Sequence, residues 1–186
     1  MCIRDSPPRP ARMRLMTHMD TRLARWTVAP SPVAAPESAA LLREYLFDVA
    51  DRWYELHHGR RMTAEEGERH LGEMPSDDLA PPDGAFLVAR HDGEPVGCVG
   101  LRRLDARTAE VRRMFLRAAK RGLGGASLLL AAAEQQARDW GARRLVLDTR
   151  LDLVEARALY ERHGFTEIPA YSDGPHSEIW YGKELP

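Results

Sequence analysis

The residues whose types and spacing best suit chemistry are the glycines of residues 120–126, Lys-Arg-Gly-Leu-Gly-Gly-Ala. The segment stands where a loop turns into an apolar, helix-forming stretch that begins at Ser127. Backbone N–H groups in such a loop can point at an anion, and the helix dipole adds roughly half a positive charge there. Lys120 and Arg121 supply side-chain cations. The segment therefore predicts a cradle for a phosphate or pyrophosphate group.

Two other phosphate-binding patterns match this segment poorly. A P-loop ends in Gly-Lys-Ser/Thr, whereas Gly125-Ala126-Ser127 contains no lysine. A dinucleotide fingerprint needs glycine at position 127, where serine stands. A nucleotide-dependent oxidoreductase with Asp148 as its ribose partner is therefore disfavoured. A plain glycine-rich helix start remains the simplest alternative for the loop taken alone.

The hydrophobic pattern predicts the elements that must position this loop. Apolar residues at helical spacing, together with the capping-box pattern Thr63–Glu66, predict four helices. Alternating or continuous apolar runs between turn signals predict seven strands. The order β-αα-βββ-α-β-α-ββ indicates one α/β domain with a mixed central sheet. The predicted helices cover residues 37–58, 63–73, 125–140 and 153–163, and the strands 25–29, 85–90, 95–104, 107–116, 144–148, 165–168 and 178–183.

One predicted strand has an irregular side-chain pattern. Between residues 107 and 116 the apolar positions are Val111, Met114 and Leu116. The step of three from Val111 to Met114 breaks the period of two that a regular strand requires. We therefore expect a β-bulge near residues 112–114.

The loop in its context resembles a known family. Residues 121–126 match the Q/R-x-x-G-x-G/A loop of the GCN5-related N-acetyltransferases, the GNAT superfamily, and they follow the strand Glu-Val-Arg-Arg-Met-Phe-Leu at 110–116. Residues 159–165, Leu-Tyr-Glu-Arg-His-Gly-Phe, resemble the family's second signature, a helix that ends Y-x-x-x-G-F. The resemblance covers about residues 25 to 185. It implies a single GNAT-like domain whose central strands splay apart at the cofactor groove.

The resemblance also implies acetyl-coenzyme A as cosubstrate. The sequence shows no constellation of metal ligands, so we expect no metal ion. The pyrophosphate is expected on the amides of residues 123–126, beside Arg121. The pantetheine arm is expected between the strand that ends at Leu116 and the strand that ends at Asp148. A backbone N–H near Met114 or Phe115 is expected to polarise the thioester carbonyl. The implied cofactor-binding residues are Met114, Phe115, Leu116, Arg121, Gly122, Leu123, Gly124, Gly125 and Ala126.

Two catalytic residues are implied by position within the family pattern. Tyr160 lies where the family places the acid for the departing thiolate, and its alternative role is that of a core aromatic. Glu110 precedes the glycine loop at the distance seen in members that use a strand glutamate as base. Its alternative role is a structural ion pair with Arg102, Arg103 or Arg112, and a water chain can replace a glutamate base.

The resulting expectation is a cytoplasmic N-acetyltransferase acting on a primary amine of a small molecule. A non-catalytic acyl-coenzyme A sensing module and an acetyltransferase of protein N-termini are the alternatives. Loop histidines His57, His58 and His176 rank lower as acceptor-site candidates, and buried Cys98 is expected to be inert. We expect no nucleic-acid or membrane partner, whereas a homodimer paired through the last strands stays open.

Length and charge bound these expectations. The chain has 186 residues, a formal net charge of −1, 44% hydrophobic and 30% charged residues. This suits one soluble domain and not a strongly basic nucleic-acid binder. Residues 1–22 are basic, proline-containing and without apolar periodicity, so we expect a non-native or disordered tail that includes Cys2. The predicted domain is residues 23–186, and its cations cluster at positions 112, 113, 117, 120 and 121.

Overall fold

The structure, a computed structural model, describes residues 25–186, and the predicted tail at 1–22 with Cys2 lies outside the described residues. The predicted element order is confirmed, with small shifts at the ends of elements. The four helices are α1 Pro36–His58, α2 Ala64–Glu73, α3 Gly125–Asp139 and α4 Val154–Arg162. The seven strands are β1 Trp26–Pro30, β2 Gly84–His91, β3 Glu94–Arg103, β4 Thr108–Leu116, β5 Arg144–Thr149, β6 Thr166–Ile168 and β7 Ile179–Glu184.

The strands form one sheet in the order β1-β2-β3-β4-β5-β7-β6. All neighbouring pairs are antiparallel except β4 and β5, which run parallel. Their parallel pairing lasts only from Thr108 to Glu110, opposite Arg144 to Val146. Beyond this point the two strands continue without pairing. The sheet therefore opens into a cleft between β4 and β5, as expected from the family resemblance.

The predicted bulge is present on β4. The register passes from Cys98 opposite Phe115 to Gly100 opposite Arg112, so β4 contains one residue more than β3. Arg113 takes a left-handed backbone conformation, with φ of 53°. Met114 has no partner in the register of either neighbouring strand. The break in apolar periodicity thus marks the place where β4 leaves its ladder.

Local sequence signals explain where the first two helices begin and end. Thr63 and Glu66 form a capping box, in which each side chain accepts a hydrogen bond from the other residue's backbone N–H. Gly59 ends α1 in a left-handed conformation with φ of 65°, which suits a residue without Cβ. None of the helices in the described part of the chain has the length and apolarity needed to cross a membrane.

Two apolar layers cover the sheet, one on each face. Alternate residues of β2 divide between them: Leu87 joins the layer of α3, whereas Phe86 joins the layer of α1. On the α3 side, Leu129 and Leu130 are fully buried. These layers fix the beginning of α3 and the middle of α1 on opposite sides of the cleft, and both helices contribute to the site described next.

Candidate active site

The glycine loop presents unpaired backbone donors at the start of α3. The N–H groups of residues 122–127 make no backbone hydrogen bond outside the helix in the described part of the chain, and the first N–H groups of a helix have no partner within it. Gly122 and Gly124 have φ of 76° and 91°. A Cβ on Gly125 would lie 2.3 Å from the Trp26 ring. The loop thus has the glycine-dependent geometry that the predicted anion cradle requires.

A groove of about 250 Å³ leads from this cradle into the cleft between β4 and β5. It is lined by α1, the end of β4, the start of the glycine loop and α4. Of the predicted cofactor-binding residues, those at its wall are Met114, Phe115, Leu116, Arg121, Gly122 and Ala126. Leu123, Gly124 and Gly125 belong to the cradle but not to this wall.

Arginine side chains at the groove differ in their partners. Arg121 donates to the Leu116 carbonyl at 2.9 Å and to Asp48 at 3.0 Å, so its guanidinium is already engaged. Arg162, in the last turn of α4, lines the groove and forms no ion pair in the described part of the chain. Arg162 is not among the residues predicted from the sequence, although a cation in the last turn of a predicted helix is a signal that could have found it.

Tyr160 lies in the groove wall, within the same cavity as Met114 and Arg121. Burial, and then the neighbouring Tyr45 and Asp148, raise the pKa of the Tyr160 hydroxyl above its ordinary value. The hydroxyl therefore keeps its proton at neutral pH and can donate it. The ring also contacts Phe165, with centroids 5.9 Å apart, so Tyr160 is both a core aromatic and a groove residue.

A second cavity of about 1040 Å³ adjoins the groove and shares Tyr45, Val49 and Leu153 with it. We call it the acceptor pocket. Its walls come from α1, α2, the bulge of β4, the end of β5 and the loop before β7. The expectation that His57 and His58 lie in a loop is wrong, because both belong to the last turn of α1. His58 and His176 line the pocket together with Trp53, and His57 stacks on Trp53 with ring centroids 4.4 Å apart.

Glu110 lines the acceptor pocket and is 1% exposed. One carboxylate oxygen accepts from Arg102 Nε at 2.5 Å, and the other accepts from the Tyr171 hydroxyl at 2.9 Å. Arg112 Nε lies 3.9 Å from the carboxylate. Glu110 is thus both in the pocket, where a base is needed, and in the ion pair that the sequence offered as its alternative role. Tyr171 was not predicted.

Two pocket residues carry charges without an opposite charge in the described part of the chain. The Asp148 carboxylate, at the end of β5, accepts a hydrogen bond from the Ser177 hydroxyl at 2.6 Å and pairs with no cation. Arg113, at the bulge of β4, forms no ion pair. From the sequence, Asp148 has a chemical role only in the disfavoured oxidoreductase alternative, and Arg113 is only one of the clustered cations.

Two other residues, His163 and Cys98, have structural contacts and line neither cavity. His163 contacts the Ser127 hydroxyl at 2.9 Å and so joins the end of α4 to the start of α3. Cys98 is buried, and burial raises the pKa of its thiol. Among residues 25–186, no three His, Cys, Asp or Glu side chains gather as metal ligands would.

Comparisons with known proteins agree with this geometry. Residues 42–165 match the model of the Acetyltransferase (GNAT) family. An IAA acetyltransferase of Azospirillum brasilense is 37% identical over 114 residues, which cover 55% of this chain and 74% of the relative. An uncharacterized N-acetyltransferase of Schizosaccharomyces pombe is 32% identical over 143 residues, 76% of this chain and 82% of the relative.

A solved structure shows the same fold. It is the PaiA N-acetyltransferase of Thermoplasma acidophilum in complex with coenzyme A, which is 19% identical and superposes with a TM-score of 0.65 over 86% of this chain and 99% of that one. Together, the splayed strands, the glycine cradle and the family match lead to one conclusion. The chain belongs to the GNAT family of N-acetyltransferases.

Proposed function

We propose that the chain transfers an acetyl group from acetyl-coenzyme A to a primary amine of a small molecule. The observation that carries this proposal is the continuity of three features. An amide-lined cradle opens into a groove that contains Tyr160, and the groove joins a pocket that contains the unpaired carboxylate of Asp148. A donor with a long phosphate-bearing arm matches the cradle and the groove. A cationic acceptor matches the pocket that contains Asp148.

The residues at the donor end suit coenzyme A. Unpaired N–H groups of the cradle would hold its pyrophosphate, with help from the dipole of α3. Arg162 supplies a cation in the same groove that no carboxylate among residues 25–186 neutralises. Arg121 would have to exchange Asp48 for phosphate in order to bind it through its guanidinium. The T. acidophilum protein was solved with coenzyme A bound in this fold. Bound acetyl-coenzyme A supplies the acetyl thioester on which the chemistry takes place.

Backbone and side-chain donors are placed to support acyl transfer. Met114 lies at the bulge, outside the register with β3 and β5, and we assign to its N–H the role of polarising a carbonyl in the cleft and stabilising a developing oxyanion. Tyr160 holds a proton that it can give to the leaving thiolate, since its raised pKa keeps it neutral. In our proposal the Met114 N–H acts on the carbonyl oxygen of the thioester, and the Tyr160 hydroxyl acts on its sulfur.

Glu110 is our proposed general base. Its carboxylate lines the acceptor pocket, and one of its oxygens accepts only from the neutral Tyr171 hydroxyl. That oxygen can take the proton of the acceptor ammonium, either directly or through water, once the Tyr171 hydrogen bond rotates away. Arg102 holds the other oxygen and keeps the carboxylate in place.

The experiment that tests the proposed function is a screen of small primary amines with acetyl-coenzyme A, in which release of the free thiol is followed. Calorimetric titration with coenzyme A runs in parallel. We expect coenzyme A to bind and at least one class of small amine to accelerate thiol release. Binding of coenzyme A with no acceleration by any small amine would instead favour a sensing module, and acceleration only by peptides would favour a protein N-terminus as acceptor.

A further inference from the structure

The acceptor pocket contains four arginines, and three of them are held by carboxylates. Arg102 and Arg112 both pair with Asp78, and Arg150 forms a bidentate pair within its own loop. Arg113 lines the same pocket, but no carboxylate in the described part of the chain pairs with it. It is the arginine whose positive charge is left for a ligand.

The guanidinium of Arg113 also has an unsatisfied donor. Its Nε atom is buried and donates to no acceptor among residues 25–186. A buried donor of a charged group without a partner costs free energy, because its hydration is lost and not replaced. The guanidinium carbon lies 5.9 Å from the centre of the Tyr45 ring, so on that side its neighbour is an aromatic face. An anion bound in the pocket would supply the missing acceptor.

The backbone at Arg113 points to a role for the side chain as well. Its φ of 53° is a left-handed conformation that is strained for a residue with a Cβ. The bulge takes the residue out of the β3–β4 ladder and re-aims its side chain. Strain of this kind at the wall of a pocket is expected where the side chain it aims has a function.

We propose that the amine acceptor also carries a carboxylate, and that Arg113 binds this carboxylate. The inference rests on the proposed function, because it specifies the acceptor of that reaction. A planar guanidinium forms paired hydrogen bonds with a carboxylate. Asp148, on the strand across the cleft, attracts the acceptor's ammonium group, so the pocket offers one group of each sign. The acceptor class is therefore an amino acid or a small molecule of amino-acid type.

The test compares amino acids with their decarboxylated amines: phenylalanine with phenethylamine, and leucine with isopentylamine. We expect the wild-type protein to prefer the amino acid in each pair by roughly 10- to 100-fold in kcat/KM, the range expected for one hydrogen-bonded charge pair. In Arg113→Asn this preference should collapse, because kcat/KM for the amino acid falls far more than for the amine. Asparagine tolerates a positive φ, so the bulge can persist.

Two further variants separate binding from folding. Arg113→Lys keeps the charge and should retain part of the preference, whereas Arg107→Asn makes the same change at an exposed arginine outside the pocket and should retain all of it. An equal loss for both members of a pair in Arg113→Asn, or a wild-type preference for the decarboxylated amines, would overturn the inference while leaving the proposed function intact. Coenzyme A binding without turnover of any amine in the panel would overturn both.

Discussion

Tyr160 has the properties of a proton donor. It is buried in the groove wall beside Met114, and its raised pKa keeps the hydroxyl protonated across the neutral range. A raised pKa by itself opposes proton transfer, so the proposed transfer to the departing thiolate requires that burial in the same groove also raise the basicity of the thiolate.

We expect Tyr160→Phe to lower kcat by roughly 10²-fold or more, the usual range for loss of a general acid. Coenzyme A affinity should stay unchanged, since the variant keeps the ring that lines the groove. Tyr181→Phe is the matched control, because it removes the hydroxyl of a buried tyrosine that contributes to neither cavity. Steady-state kinetics with calorimetric titration measure both quantities, and an unchanged kcat in Tyr160→Phe would remove the acid role.

Glu110→Gln separates the two roles that its position allows. If Glu110 is the base, kcat/KM should fall by roughly 10²-fold at neutral pH. The loss should shrink as the pH rises, because more of the acceptor amine is then already deprotonated. If the carboxylate only ties Arg102 and Tyr171 together, the variant should lower the melting temperature and leave the pH profile of kcat/KM unchanged in shape. The pH profile, measured beside thermal unfolding, decides between the roles.

At the scale of elements, the cradle depends on how closely α3 approaches β1. Gly125 leaves no room for a Cβ beside Trp26, whereas a Cβ on Gly122 would meet nothing within 4 Å. Gly125→Ala must therefore displace either the ring or the first turn of α3. We expect it to cost roughly 1–3 kcal/mol of stability and to weaken coenzyme A binding.

Gly122→Ala is the comparison for this prediction. It meets only the strain of its positive φ, about 1 kcal/mol. Thermal unfolding and coenzyme A titration of the two variants check the difference. Equal effects would show that the close approach of α3 to Trp26 does not position the cradle.

A second element-scale feature joins the loop after β5 to α1. Arg150 donates to the Val49 carbonyl at 2.9 Å and forms two hydrogen bonds with Asp152. The hydrogen bonds from Arg150 hold the pKa of the Asp152 carboxyl below its usual range. This junction forms part of the floor shared by the groove and the acceptor pocket.

The junction makes a pH-dependent contribution to stability. Because the native pKa of Asp152 is lowered, its contribution is complete above the ordinary carboxyl pKa, about 4, and is lost as the pH falls through the lower native value. We expect Asp152→Asn to lower the melting temperature at pH 7 and to match the wild type progressively at acid pH. A difference that persisted unchanged into strong acid would contradict this account.

The elements could be predicted because their signals lie within a few residues of one another. The ion pairs between residues distant in the chain could not be predicted. The capping box at Thr63 and the bulge near Met114 follow from spacings of three residues. By contrast, Asp78 meets Arg102 and Arg112 across 24 and 34 residues of chain. The cations predicted to cluster near the cofactor are therefore largely divided among partners that no local pattern shows.

The same limit applies to Arg113. It lies next to the predicted site residue Met114, but its significance comes from having no ion-pair partner in the described structure. Whether an arginine has an ion-pair partner depends on the position of every carboxylate around it. It follows only from the folded arrangement, in which Arg117 is held by Glu44 and Arg121 by Asp48.

At the scale of the whole molecule, one sheet organises both halves of the site. The parting of β4 and β5 after Glu110 makes the cleft, α3 and α4 border its donor side, and α1 with the loop before β7 borders its acceptor side. We retain the proposal that this domain begins near residue 23. The two cavities meet at Tyr45, Val49 and Leu153, so in our proposal a donor in the groove and an acceptor in the pocket would meet there.

The most direct test of this account is to follow an isotopically labelled acetyl group from acetyl-coenzyme A by mass spectrometry, in the presence of the protein and a small primary amine. We expect the label to appear on the nitrogen of the amine, at a rate proportional to protein concentration. Coenzyme A that binds in the groove while no label reaches any amine would contradict it.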